Sequence, residues 1–274
     1  MVDLHLHTTA SDGRCLPQEL VDRAAAAGVT AMAVTDHDTT SAVAEVRAAA
    51  QARGIEAISG IEITAVESSR DVHILGYFLD PQNPQLAGFQ ARQRAQRVAR
   101  VTAVGDRLAQ LGMPIDVIPI VAQAREGGGR SIGRPHIARA MVAAGHVADT
   151  RDAFDRWLGT GRPAFVPRAG APPDEVIAVL HGAGGLASLA HPGQTAVDAR
   201  IAAYRLAGLD AIEVYHPDHD AASIARYREL ASRLMLSMTG GSDFHGDPSH
   251  GVEPGSMALP EDAWLRLRAA APHA

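Results

Sequence analysis

Apolar and polar residues alternate strictly along residues 2–7: Val2, Leu4 and Leu6 fall on one side, Asp3, His5 and His7 on the other. That period of two predicts a strand, and one whose entire polar face consists of groups that titrate or bind metals. "LPQELVDRAAAAG" (16–28) predicts a helix, with Pro17 near its start and Gly28 just past its end. "VTAMAVTDHD" (29–38) predicts a buried strand that ends in polar residues. "TSAVAEVRAAAQARG" (40–54) predicts a second helix, and "IEAISGIEITAV" (55–66) and "DVHILGYFL" (71–79) two more strands. This β-α-β-α-β order predicts parallel strands with helices outside.

Two prolines in "DPQNPQ" (80–85) interrupt the pattern. A long amphipathic helix over 85–111 follows, with Val98, Val101, Leu108 and Leu111 at helical spacing. Shorter helical pieces are predicted at 116–125, 135–144 and 150–158, joined by the glycine-rich "EGGGRSIGRP", and a short strand at "PAFVP" (163–167). Strand–helix alternation then resumes through "GLASLAHP", "LDAIEVYHP" and "LSMTGGSDFHG", the first two of which end at a histidine. The expected architecture is an α/β barrel or barrel-like sheet made of residues 1–83 and 166–274, with a helical insertion over 84–165.

Composition adds three constraints. A net charge of −6 over 274 residues argues against a protein that coats nucleic acid, DNA included. The single cysteine, Cys15, rules out an internal disulfide and fits a reducing cytoplasm. Neither a signal peptide nor an apolar run long enough to span a bilayer is expected. All 25 basic residues are arginine, so no lysine is present to form a Schiff base or a metal-bridging carbamate. Charge is also segregated: residues 84–170 hold 13 arginines and 6 acids, and the remainder 12 arginines and 25 acids.

Chemistry-bearing residues recur near the ends of the predicted strands, where barrels of parallel strands gather their reacting groups. His5 and His7, one period apart, would have Cα atoms roughly 6.5 Å apart and can close on one ion. The candidate ligands are His5, His7, Asp12, His37, Glu62, His73, His191, Asp243 and His245, more than one ion uses. Imidazole and carboxylate together suit zinc, iron or manganese. Paired ions sharing a carboxylate activate a hydroxide for attack on a phosphate ester.

The ordered set "HLHTTASDG", "TDHDT", "GIEIT", "DVHILGY", "LAHPG" and "GGSDFHG" resembles the PHP (polymerase and histidinol phosphatase) superfamily across the chain outside the insertion. That resemblance implies a distorted barrel of seven parallel strands holding two or three divalent metals, manganese first. It further implies one ion at His5, His7, Glu62 and Asp243, a second at Glu62, His73 and His191, and a third at Asp12, His37 and His245. No ligand position is missing. His191, Asp12, His37 and Glu62 are the residues expected to carry catalysis, with severe loss of turnover on replacing His191 or Asp12 by alanine. "GRSIGRPHIARAMVAAGHV" and "GTGRPAFVP" are similar to the branch that hydrolyses nucleoside 3′,5′-bisphosphates, which also includes an exonuclease on short 5′-phosphorylated RNA.

The basic insertion is then expected to fold over the barrel mouth and grip a second, non-reacting phosphate. Arginine suits this because its planar fork binds phosphate bidentately. Arg130, Arg134 and His136, beside the glycines of "GGGRSIG", are the expected grip, and His216 at a strand end is a further substrate contact. Asp38 is expected to orient an imidazole, and the arginines at 92, 94, 97 and 100 to lie in part on a solvated helix face. The rival activities are a cyclic-amide hydrolase, disfavoured by the absence of lysine, histidinol-phosphate phosphatase, and a non-catalytic regulatory module. Partners are expected to be a small anionic nucleotide or short RNA, with no membrane. Oligomeric state is not legible.

Overall fold

The computed structural model describes residues 1–125, 129–195, 197–247 and 251–272. Seven strands form one sheet in sequence order: β1 (Val2–Leu6), β2 (Ala31–Val34), β3 (Glu56–Glu67), β4 (Arg70–Tyr77), β5 (Leu186–Leu189), β6 (Ala211–Tyr215) and β7 (Ser237–Gly240). The sheet curls until its edges nearly meet. His7 N–H donates to Phe244 O at 3.0 Å, just beyond β7, and Leu6 bridges Phe244 in parallel. Gly241 permits this approach, since a Cβ there would fall 2.4 Å from the His5 nitrogen.

One expectation fails here. The strands are not all parallel: β4 runs antiparallel to both β3 and β5, while the other neighbouring pairs are parallel. The cause is local. Only Ser68 and Ser69 separate β3 from β4, both with positive φ (49° and 64°). Two such residues make a hairpin turn, whereas a parallel return needs a crossover of a dozen residues or so. Residues 163–167, expected as a strand, are irregular, because prolines at both ends remove ladder donors.

Helices α1 (Pro17–Ala26) and α2 (Val43–Gln51) bury Leu20, Val21, Val43 and Val46 against Leu6, Met32 and Val34. Helices α7 (Pro173–Gly182), α8 (Pro192–Thr195), α9 (Ile201–Leu206) and α10 (Ala221–Leu234) flank β5 and β6. A C-terminal helix that the sequence pattern did not suggest, α11 (Glu261–Ala269), packs Ala263, Trp264 and Leu267 with Leu4 and Tyr77.

Between β4 and α7 run α3 (Pro84–Gln110), α4 (Ile118–Arg125), α5 (Arg134–Ala143) and α6 (Thr150–Ala153), the last passing into a wider turn at Phe154–Leu158. Asn83 starts α3 by accepting the Gln85 and Leu86 N–H groups, and Pro84 fills its first position. Val101, Val104 and Leu108 of α3 then meet Ile120, Ile137, Met141 and Leu158 in an apolar cluster separate from the barrel's. Polar contacts fasten this layer to the barrel mouth. Ser131 N–H donates to Ala10 O (2.8 Å), Arg139 Nη1 to Asp12 O (3.1 Å) and Gln93 Nε2 to Thr64 O (3.0 Å).

Candidate metal centre

The strands bring nine side chains from distant parts of the chain to one end of the barrel. His5 comes from β1, with His7 just past its end, Glu62 from β3, and His73 from β4. His37, His191, Asp243 and His245 lie just past β2, β5 and β7, and Asp12 lies in the loop after β1. That loop turns at Gly13, where any Cβ would sit 2.5 Å from His7 O. Its shape is held by the buried Asp36 carboxylate, which accepts Thr8 N–H (2.8 Å) and the hydroxyls of Thr8 and Ser11 (both 2.6 Å).

Glu62 is the centre of the cluster. It is 1% exposed, and imidazole nitrogens surround it: His73 Nδ1 at 2.6 Å, His37 Nδ1 at 3.0 Å, His191 Nε2 at 3.1 Å, His7 Nε2 at 3.3 Å and His5 Nε2 at 3.4 Å. Asp243 Oδ1 lies 3.2 Å from both His5 Nε2 and His7 Nε2. Asp12 lies 3.3 Å from His245 Nε2 and 3.6 Å from His37 Nε2.

Ligating atoms converge in four overlapping groups: His5–His7–Glu62, His37–Glu62–His73, His5–His191–Asp243 and His7–Asp12–His37–His245. Glu62 thus belongs to two groups. His191 groups with His5 and Asp243 there, while its Nε2 also reaches Glu62.

The buried atoms of this cluster are short of hydrogen-bond partners. His5 Nε2, His7 Nε2, Asp12 Oδ1, His37 Nδ1, Glu62 Oε2 and His191 Nδ1 have none. A buried polar atom without a partner costs about 1–3 kcal/mol, so a protein keeps several together only where something else satisfies them. Convergent imidazole and carboxylate lone pairs fit divalent cations.

The protein's own electrostatics agree. Burial works against charge on Glu62, but His37, His73 and His5 hold its carboxyl well below the usual range. Burial likewise opposes an imidazolium at His7, yet Asp243 and Glu62 raise it to about 10. The site attracts positive charge. Two residues that frame it, His191 (φ 24°) and Asp243 (φ 51°), hold left-handed backbone conformations, strain of the kind that collects at functional sites.

Beside the cluster lies a cleft of about 220 Å³, lined by Asp12, His37, His73 and His245 on one side and by Arg97, Arg100, Arg134 and Arg168 on the other. The carboxylate of Asp38 accepts Arg97 Nε (2.5 Å) and Arg168 Nη2 (2.7 Å). Asp71 accepts Arg134 Nη2 (3.2 Å) and Arg100 Nη1 (3.4 Å). Burial depresses Arg100 and Arg168 to about 10, helped by neighbouring Arg134 and Arg97 respectively. Arg100 Nη2 and Arg168 Nε are buried without partners.

Several expectations are corrected by this geometry. Arg97 is no solvated residue: it is 8% exposed and braced on Asp38, which holds two arginines rather than an imidazole. Arg134 lies in the cleft, stacked over Phe154 and Phe165. Arg130 does not: it is exposed in a separate groove with Thr9, Ser41 and Glu45. His136 turns inward, its Nδ1 accepting Gly133 N–H at 3.2 Å as part of the start of α5, and burial lowers it to about 4. Gly127 and Gly128 of the expected anion nest lie outside the described residues. His216 is buried, with Nε2 3.4 Å from Asp243 Oδ2.

Sequence reasoning missed Asp71, Arg100 and Arg168 as a unit, and missed Glu213 entirely. The one signal for Glu213 was an acid in the middle of an apolar strand, "AIEVY".

The PHP domain family matches residues 3–124. A 3′,5′-nucleoside bisphosphate phosphatase from Chromobacterium violaceum is 34% identical over 265 residues, covering 93% of this chain and 90% of that protein. The chain belongs to the PHP family. This PHP protein is also 34% identical over 250 residues to the 5′-3′ exoribonuclease Rnm of Escherichia coli, across 89% of this chain and 84% of that protein. A crystal structure from Bifidobacterium adolescentis, provisionally described as a metal-dependent phosphoesterase, superposes with a TM-score of 0.89 at 35% identity, covering 98% of this chain and 95% of that one. With its clustered ligands, this PHP protein is a metal-dependent phosphoesterase. Among the described residues no helix is long and apolar enough to cross a membrane.

Proposed function

We propose that the enzyme removes the 3′-phosphate from nucleoside 3′,5′-bisphosphates, such as 3′-phosphoadenosine 5′-phosphate, in the cytoplasm. His5, His7, Glu62 and Asp243 would hold one divalent ion, Glu62, His73 and His191 a second, and Asp12, His37 and His245 a third. Manganese is the first choice, with zinc or iron as alternatives. Such ions supply a nucleophile at neutral pH and neutralise charge on the attacked phosphate. The residues of 84–165, with Arg168, form the roof that receives the rest of the substrate.

The observation that carries this reading is the arginine cleft. A monophosphate needs only the ions. Four guanidinium groups share that cleft with the ligands, and two of them have a buried N–H without a partner, which leaves donors for a second phosphate. Asp38 and Asp71 brace the guanidinium groups from behind, so the cleft is built before substrate arrives. This favours a doubly anionic substrate over histidinol phosphate or a cyclic amide.

Phosphate release is measured from 3′-phosphoadenosine 5′-phosphate, 3′-AMP and histidinol phosphate. A kcat/KM highest for the bisphosphate supports the reading, and equal values sink it. Arg134→Ala is expected to raise KM for the bisphosphate at least about tenfold, the scale of one charge-assisted hydrogen bond. Hydrolysis of an aryl phosphate should be unchanged. Equal losses on both substrates would remove Arg134 from the second-phosphate site.

A second groove favours a related reading, a 5′-3′ exoribonuclease acting on short 5′-phosphorylated RNA. It measures about 420 Å³ and is lined by Arg14, Arg139, Arg151 and Gln194. It shares Asp12, Pro135, Phe154 and His245 with the arginine cleft, so the two open on either side of the same cluster. A nucleotide following the attacked phosphate would lie there. Arg151→Ala is expected to raise KM for a 5′-phosphorylated dinucleotide by about five- to tenfold, the scale of one phosphate contact, and to leave the bisphosphate's KM alone. A parallel change on both would argue against a groove specific to the second nucleotide.

A further inference from the structure

Glu213 touches two of the assigned ligands and belongs to none of the converging groups. It sits in the middle of β6, 0% exposed and facing into the barrel. Its Oε1 lies 2.9 Å from His5 Nδ1, and its Oε2 accepts the backbone N–H of His191 at 2.8 Å. His5 comes from β1 and His191 follows β5, so one carboxylate spans the barrel interior between two elements far apart in sequence.

The chemistry of each contact is fixed. An ionised carboxylate only accepts hydrogen bonds, and a backbone N–H only donates. His5 must therefore carry a proton on Nδ1 to meet Oε1, so that in its neutral form the free lone pair is the one on Nε2, beside Asp243 and Glu62. On the other side, Oε2 fixes a backbone that would otherwise relax, because His191 is held at φ 24°. Its carbonyl accepts Gln194 N–H at 3.0 Å, and His219 Nε2 accepts the next amide but one, Gly193 N–H, at 3.2 Å. His219 Nδ1 donates in turn to Val214 O, on the strand that carries Glu213.

We propose that Glu213 is a positioning residue. One carboxylate sets the tautomer of His5 and the backbone of His191, and so holds in place a ligand of each of the first two proposed ions. This rests on the reading that His5 and His191 are metal ligands. Glutamine is not a conservative replacement here, because its single amide oxygen can meet only one of the two donors. Its NH2 must face either His5 Nδ1–H or His191 N–H. The first arrangement is relieved only if His5 moves its proton to Nε2, which removes a ligand.

Two measurements test this. Metal content and chelator competition are compared for wild type, Glu213→Gln and His5→Ala, with circular dichroism as the check on folding. Glu213→Gln is expected to keep its fold, lose about 10–100-fold in metal affinity, and lower kcat with little change in KM. A folded Glu213→Gln that binds metal like wild type would overturn the proposal. If His5→Ala itself leaves metal binding untouched, the ligand assignment fails instead. Should Glu213→Gln not fold, the wild type still decides the matter: imidazole 15N shifts of the zinc-loaded protein are expected to place the His5 proton on Nδ1. A proton on Nε2 would refute the role.

Discussion

Glu62→Ala, purified with manganese in excess, is expected to bind fewer ions per chain than wild type and to lose at least on the order of 10²–10³-fold in kcat. That scale is the loss of a single fixed electrostatic group from an active site. The size of the effect follows from the position of the carboxylate. Five imidazoles approach it between 2.6 and 3.4 Å, and it belongs to two of the four converging ligand groups. Removing any one histidine leaves the other candidate ligands in place, whereas in the proposed assignment removing Glu62 would take a ligand from two ions at once. The backbone should tolerate the change, because Glu62 N–H donates to Asp36 O and its carbonyl accepts Asp38 N–H whatever the side chain. Metal analysis and steady-state kinetics on the folded variant check this. Full metal content with turnover within tenfold of wild type would exclude a bridging role.

The largest effect on stability is expected at Asp38. This residue is fully buried and accepts from Arg97 and Arg168, themselves 8% and 9% exposed. Burial works against its charge, yet the two arginines hold its carboxyl down at about 2. Breaking a buried pair by removing one partner leaves the other charge uncompensated and costs about 3–5 kcal/mol. Asp38→Asn isolates that cost, because asparagine tolerates the positive φ of 52° that alanine would not. The expected loss of about 3–5 kcal/mol corresponds to a fall in Tm of roughly 6–20 °C, read by urea and thermal unfolding. The same substitution frees two guanidinium groups of the cleft, so KM for the bisphosphate should rise as well. A variant as stable as wild type would mean that the arginines find other partners or water.

Much of the barrel was legible because its signals are local. Period-two alternation, glycines after helices and prolines at helix starts marked β1, β2, α1 and α2 without reference to anything distant. The candidate ligand cluster was legible for the same reason, since His5, His37, Glu62 and His191 each sit in a short motif on or just past a strand. In a parallel strand His73 would lie at the wrong end for the cluster. It occurs early in β4 and reaches the same end of the barrel because β4 runs backwards.

Apart from Arg134, the arginine cleft was not legible, because no local feature separates a buried arginine from an exposed one. Arg92 and Arg97 lie on the same helix, and Arg92 projects into solvent while Arg97 is buried. Only the packing of α3 over the barrel decides which one meets Asp38. Arg130 and His136 show the converse: both sit beside a glycine-rich loop, yet one points into a separate groove and the other back into its own helix start.

By itself, then, the sequence determined the seven barrel strands, the flanking helices other than α11, the candidate metal-ligating residue types and the excess of positive charge in the middle of the chain. The tertiary structure alone decided the direction of β4, the pairing of Asp38 and Asp71 with four arginines, and the place of Glu213 between His5 and His191. The physical reason is range. Periodicity and turn chemistry act over a few residues and are written in sequence order. Charge pairing and ligand geometry act across a few ångströms between residues as far apart as Arg168 and Asp38, which only the closed barrel and its roof bring together.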